Sequence, residues 1–289
     1  MAHLPKQKRG SVWLFFMLTF AFTWAVFLLA SAALRVNLLP PFPESPTILV
    51  AYVATYSPTI VAFLLTFTYE GKNGAKQLIS KAFGRRALLE KKIWYLPTLF
   101  LWPAISGVAS LLTIPFGGGV PETSLFFRPL LIPLVFLVSL LSGPMAEEFG
   151  WRGYALDRLQ ARWNALFSSL MLGIIWGGWH LPSYLVSGTS HFQNLQQYGM
   201  IELVFFFMAT IGTSILFTWV YNNTKGSLLI MILFHTFTNF SVAFFPQQLQ
   251  IGALPIARLI YVILIWIMAI VVLKIWGSHQ LVREKAPKQ

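Results

Sequence analysis

The sequence predicts an all-α polytopic membrane protein of about eight transmembrane helices with both termini in the cytoplasm. Three observations carry that reading. Of 289 residues 56% are hydrophobic and only 10% are charged, which leaves too little polar surface to coat a soluble globule. The apolar residues form segments of about 20, the length of a spanning helix, and the shorter alternation of a membrane β-barrel is missing. The basic residues collect on alternate connections between those segments.

The segments are residues 12–34, 47–69, 93–116, 126–143, 166–186, 200–221, 227–245 and 255–276. The first follows Lys6-Gln7-Lys8-Arg9 and carries no small-residue cleavage site, so it reads as a retained helix and not a signal peptide. In the second, Pro58 should kink the helix and free a carbonyl that a neighbouring helix or hydroxyl must satisfy. Residues 70–92 form the long polar connection, with seven basic residues against two acidic. Its Leu78, Ile79, Ala82 and Phe83 share one helical stripe, which suits an interfacial helix on anionic lipid; an ordinary positive-inside loop fits equally well. With the N-terminus in the cytoplasm, 18 of the 21 Lys and Arg residues are cytoplasmic, leaving Arg35, Arg128 and Arg258 on the other side.

The whole chain, 1–289, therefore reads as one membrane-embedded domain whose first partner is the bilayer, in the cell membrane or, in a eukaryote, the endoplasmic reticulum. The net charge of +12 is spread over short loops instead of one folded face, which argues against a nucleic-acid partner. Zero cysteines exclude disulfides, thiolate metal ligands and a cysteine nucleophile. The Asn222-Asn223-Thr224 sequon falls in a tight cytoplasmic loop and is not read as a glycosylation site.

Ionisable groups at membrane depth are costly, so they mark a functional site. Of nine acidic residues, only Glu147, Glu148 and Glu202 lie in or against an apolar segment, and Glu202 is expected at the outer, watery end of its span. Gly143-Pro144 should break the fourth helix just before the glutamate pair. Glu148 and Arg152, at i and i+4, can form an ion pair, and Glu147 then points about 100° away. The bland alternative is that both glutamates cap a helix at the water boundary. Of five histidines, His3 and His279 are in polar tails, His191 is in an outer loop, and His180 and His235 lie inside spans. Asn239 is one turn from His235 on the same face, and Trp176 is one turn before His180.

Chemistry gives this set a consistent use. Burial favours the neutral form of a carboxyl group, which suits Glu147 to general-base work on water near neutral pH. His180 can share that proton and pass it to a leaving amine. His235 and Asn239 can stabilise the oxyanion of a tetrahedral intermediate, at about 3 kcal/mol per donor. A zinc site built from Glu147, His180 and His235, with water in the open position, is the competing arrangement, although no His-Glu-x-x-His helix is present.

Glu147-Glu148-x-x-x-Arg152, Trp176-x-x-x-His180 and His235-x-x-x-Asn239, in that order on successive spans, resemble the three motifs of the CPBP (CAAX protease and bacteriocin-processing, or abortive-infection) intramembrane protease family, which includes the type II CAAX prenyl endopeptidases. The resemblance centres on residues 130–245. It implies that Glu147 with His180 activates water and that His235 with Asn239 forms the oxyanion site. It also implies a prenylated CAAX-type substrate that reaches the site laterally between helices. The second motif usually begins with Phe, and Trp176 in its place is expected to alter packing near His180 more than chemistry. A non-catalytic binding or immunity-type membrane protein, with the polar cluster as structural glue, is the alternative from another class. An ion carrier is weaker, since no internal repeat is visible.

One geometric difficulty remains at this level. Glu147 should lie near the cytoplasmic end of its span, while His180 is 14 residues into the next, about 21 Å away. Either the Glu-bearing helix turns back at Gly143-Pro144, or the fifth helix begins well outside the bilayer and a water-filled cavity reaches inward.

Overall fold

Ser11 opens the first helix by accepting the Leu14 amide on its hydroxyl at 3.3 Å, and α1 then runs Val12–Arg35. The structure is a computed structural model that describes residues 10–40, 45–84, 92–118, 127–245 and 255–283. The basic cluster at 6–9, part of the 70–92 connection and Phe126 lie outside those residues. Every regular element among the described residues is helical.

α2 (Ser45–Thr55) and α3 (Ser57–Phe83) meet at a 44° bend. Pro58 cannot donate to the carbonyl of Ala54, and the Thr23 hydroxyl of α1 does so instead, at 3.1 Å. Thr23 is also bonded to Ser57 and accepts the Trp179 indole N–H at 2.8 Å, so the kink is tied to two other helices. Within α3 the backbone breaks at Gly71, whose φ of 68° and ψ of −165° form a conformation that essentially only glycine adopts. Past that break the predicted stripe divides: Leu78 and Ala82 are buried, whereas Ile79 and Phe83 are exposed.

The chain continues through α4 (Tyr95–Leu111), α5 (Ile132–Leu141), α6 (Pro144–Gly150), a π-helical turn (Trp151–Leu156) and α7 (Asp157–Gln160). Next come α8 (Ala165–His180), a 3-10 turn (Leu181–Leu185), α9 (Ser190–Tyr198), α10 (Ile201–Asn223), α11 (Leu228–Phe244) and α12 (Ile256–Trp276). Five stretches are long and apolar enough to cross a membrane: α1, Lys92–Phe116, Pro129–Gln160, α10 and α12. The bent α2–α3 pair makes a sixth if it counts as one span. α8 and α11, with 16 and 17 residues, are shorter than these.

The end of the fourth predicted segment needs correction: the helix breaks at Gly143 as expected, with φ −145° and ψ −63°, but the span does not end there. The helix resumes at Pro144, a residue suited to the first turn of a helix, and runs to Gln160. Glu147 therefore stands 13 residues from the end of its span, roughly 20 Å, and His180 stands 15 residues from the start of α8, roughly 22 Å. A helical hairpin with nearly equal arms brings the two level, so the Glu-bearing helix has no need to turn back.

The closed end of that hairpin is held by polar contacts. Asp157 takes Lys81 at 2.7 Å and the Tyr221 hydroxyl at 2.8 Å, and Arg158 pairs with Glu70 at 2.8 Å. The amides of Ala165 and Leu166 donate to the carbonyls of His279 and Ser278. Along the hairpin, α8 lies directly on α10: a Cβ at Gly173 would stand 2.6 Å from the Ile211 Cα, and one at Gly177 would stand 2.9 Å from the Phe207 ring. Small residues at a four-residue spacing allow this approach. Gly173→Val is expected to push α8 off α10 and destabilise the protein by about 1–3 kcal/mol, seen as a lower melting temperature in detergent.

Candidate active site

Gly143 and Pro144 interrupt the fourth span without unravelling it. The Tyr56 hydroxyl donates to Leu141 O at 3.0 Å, and the Thr59 hydroxyl donates to Met145 O at 3.2 Å, so α3 satisfies carbonyls on both sides of the break. The same two elements close up where Gly150 meets Pro58, since a Cβ there would lie 2.6 Å from the Pro58 carbonyl oxygen. α6 is thereby fixed in rotation as well as position.

Its two carboxylates part company as their spacing requires. Glu148 is fully buried, and its Oε1 accepts Arg152 Nη1 at 2.8 Å and lies 2.7 Å from His235 Nδ1. The Arg152 guanidinium, 1% exposed, lies over the rings of Phe217 at 4.2 Å and Trp176 at 5.1 Å. Glu147 turns the other way. Its Oε2 accepts the indole N–H groups of Trp151 at 3.1 Å and Trp176 at 2.6 Å, and Oε1 is left facing the break at Gly143.

Trp176 also holds His180, whose Nδ1 lies 2.8 Å from the Trp176 carbonyl oxygen. A carbonyl can only accept, so Nδ1 carries the proton and Nε2 is the nitrogen left for other work. The His180 ring is packed by Trp179, His191 and Phe206 at centroid separations of 4.6, 5.3 and 5.2 Å. The expectation that Trp in place of Phe alters mainly packing is therefore corrected: the indole N–H makes a hydrogen bond to Glu147 that a phenyl ring cannot.

The clearest convergence is at Gly143. The point that its missing Cβ would occupy is 3.1 Å from Asn239 Nδ2, 3.2 Å from Glu147 Oε1 and 3.8 Å from His235 Nε2. Glu147, Trp176, His180, His235 and Asn239 all line one cavity of about 750 Å³, and Glu148 and Arg152 stand behind it. Among the described residues no three His, Asp or Glu side chains gather as a group that could hold a metal ion. Glu147 and His235 each turn an atom to Gly143, but His180 is held to Trp176 and does not complete a triad with them.

Four features escaped the sequence reading. Trp151, one turn after Glu147, was available from i, i+4 spacing as its partner. Gly143 appeared only as a helix breaker, not as the space on which three groups converge. Glu202 does stand at the end of its span, in the first turn of α10, but its side chain is fully buried and paired with Arg258 instead of meeting water, and His191 lies on α9 against His180 and lines the same cavity.

Fold and cavity together define a multi-pass membrane protein that keeps an acid–histidine cluster between its helices. Residues 129–241, which include every motif residue, match the family described as type II CAAX prenyl endopeptidase, Rce1-like. The chain is 31% identical over 191 residues to CAAX prenyl protease 2 of Methanococcus maripaludis, an alignment covering 63% of this chain and 67% of that protein. The chain belongs to the type II CAAX protease family, a family of membrane-embedded hydrolases.

The buried pair makes a stability prediction. Arg152→Ala leaves Glu148 without its cation and is expected to cost about 3–5 kcal/mol, read as lost yield or a lower detergent melting temperature. The double variant Glu148→Gln, Arg152→Met should recover part of that loss, because no unpaired charge is left buried.

Proposed function

We propose that the protein is an intramembrane endopeptidase that hydrolyses a peptide bond near the C-terminus of a membrane-associated, prenylated substrate of the CAAX type. The observation that carries this reading is the arrangement around Gly143, where a carboxylate oxygen, an amide nitrogen and an imidazole nitrogen face one small space at the wall of a buried cavity. The name of the methanococcal relative, CAAX prenyl protease 2, supports the choice of substrate. Val138 and Val242 line the cavity while 47% and 46% exposed, which favours lateral access for a lipid chain between α5 and α11.

In this mechanism Glu147 Oε1 takes a proton from water as the water oxygen attacks the scissile carbonyl carbon. Asn239 Nδ2 donates to the developing oxyanion, and His235 joins it when Nε2 is protonated, with Glu148 stabilising the imidazolium through Nδ1. As the C–N bond breaks, the proton passes to the leaving amine, with His180 Nε2 as the relay. Trp151 and Trp176 keep Glu147 Oε2 engaged, so the other oxygen is the one presented to water.

Purified protein with a farnesylated CAAX peptide tests the assignment. Glu147→Ala and His180→Ala are expected to abolish cleavage with melting temperatures near that of the parent, and cleavage by the parent should survive a strong zinc chelator. Full activity in both variants sinks the mechanism. Lost folding without a specific loss of turnover would instead favour a non-catalytic protein with a structural polar cluster.

Two subtler variants probe the geometry. Gly143→Ala puts a methyl group between Glu147 and Asn239 and should lower kcat/KM at least 100-fold, with little change in stability. Trp176→Phe removes one hydrogen bond to a charged group, worth about 1.5–3 kcal/mol, and should lower kcat by about 10- to 100-fold. Unchanged kcat in both would mean that this space does not hold the reacting atoms.

A further inference from the structure

The cavity has a second pole, away from Glu147. Glu202, in the first turn of α10, is fully buried and accepts Arg258 Nε at 3.0 Å on Oε2; Oε1 accepts Arg258 Nη2, and Asn194 Nδ2 at 3.4 Å. Arg258, in the first turn of α12, remains 23% exposed and lines the cavity. Its Nη1 donates to none of the described residues. Among the described lining residues, Glu147 is the one carboxylate and Arg258 the one permanent cation.

The spacing between the poles suits a short peptide. Phe206 packs on the His180 ring, and Glu202 lies one turn earlier on the same helix, so the guanidinium stands about one helical turn, roughly 6 Å, beyond the level of His180. Two or three residues of extended chain cover about 7–10 Å. A substrate whose scissile amide is level with His180, the proposed relay to the leaving amine, would therefore bring a chain end two or three residues later to Arg258.

We propose that Arg258 is the subsite for the free C-terminal carboxylate of the substrate, with Glu202 and Asn194 as positioning residues for its guanidinium. A planar guanidinium, with its Nη1 donors free, is suited to a carboxylate. An ion pair serving only to join α10 to α12 has no need to keep its cation on the cavity wall. The carboxylate anchor gives a physical reason for cleavage at a set distance from a chain end, and it rests on the endopeptidase reading above.

The test uses the full chain in nanodiscs with two farnesylated peptides that differ only in a C-terminal carboxylate or carboxamide. The parent should cleave the acid with a kcat/KM at least tenfold above that of the amide, most of it in KM. Arg258→Gln should erase this preference by weakening acid cleavage, and Arg258→Lys should restore part of it. Equal cleavage of acid and amide by the parent overturns the subsite while leaving the protease intact, and this comparison stands even if the Arg258 variants fail to fold. Cleavage of neither peptide removes the endopeptidase reading and the subsite with it.

Discussion

A carboxylate and a guanidinium buried side by side in the bundle set the terms for the groups around them. Removing Glu148 and Arg152 from water costs several kcal/mol per ion, and one 2.8 Å contact does not offset that alone. Further compensation comes from His235 on the same carboxylate oxygen and from Phe217 and Trp176 under the guanidinium, although Glu148 Oε2 and Arg152 Nε and Nη2 find no hydrogen-bond partner among the described residues. Each of these partners is thereby held in a single orientation. With Nδ1 on Glu148, His235 has only Nε2 to turn toward Gly143. With its ring beneath Arg152, Trp176 has its N–H aimed at Glu147. The structural pair thus aims the chemical groups, and the adjacency of two glutamates in sequence is what couples the two roles.

Depth is fixed separately, at the closed end of the α5–α8 hairpin. Asp157 is bound by Lys81 from α3 and Tyr221 from α10, which stops the descending arm from sliding along the bundle axis. Ten residues separate Asp157 from Glu147, so the anchor transmits its position up the helix at about 1.5 Å per residue. The π-helical turn between them is the irregular element in that path, and Arg152 lies within it. Such turns recur at functional sites. Here it follows directly on α6, so the helical register that sets the directions of Glu147 and Glu148 is kept up to the Glu148–Arg152 pair.

Much of this was legible because it is local. Helical class followed from segment length, the Pro58 kink and its hydroxyl partner from the missing amide, and the Glu148–Arg152 pair from a four-residue spacing. The divergence of Glu147 from Glu148 followed from 100° per residue. What could not be read depends on how closely helices approach. The hydrogen bond from Trp176 to Glu147 needs α8 beside α6, and the burial of Glu202 needs α12 to carry Arg258 onto it. The end of the fourth span was misplaced for a different reason. Gly-Pro signals a stop when read from the N-terminal side, yet proline is equally suited to the first turn of a new helix.

The unequal treatment of the two glutamate-bearing poles follows from their neighbours. At Glu148 one carboxylate oxygen is engaged by the Arg152 guanidinium and by the His235 imidazole. At Glu147 the donors are indoles, which carry no charge, so the carboxylate's field extends into the cavity toward Gly143 and the end lined by Arg258. Arg258 is already neutralised by Glu202, so what that end offers an anion is guanidinium donors and not a net positive charge. In the proposed reading, a peptide ending in a carboxylate would be repelled by Glu147 and would find its donors at Arg258, which would leave an internal amide, not the chain end, beside the proposed base. Orientation and selection of the bond would then follow together from where two helices place Glu147 and Arg258.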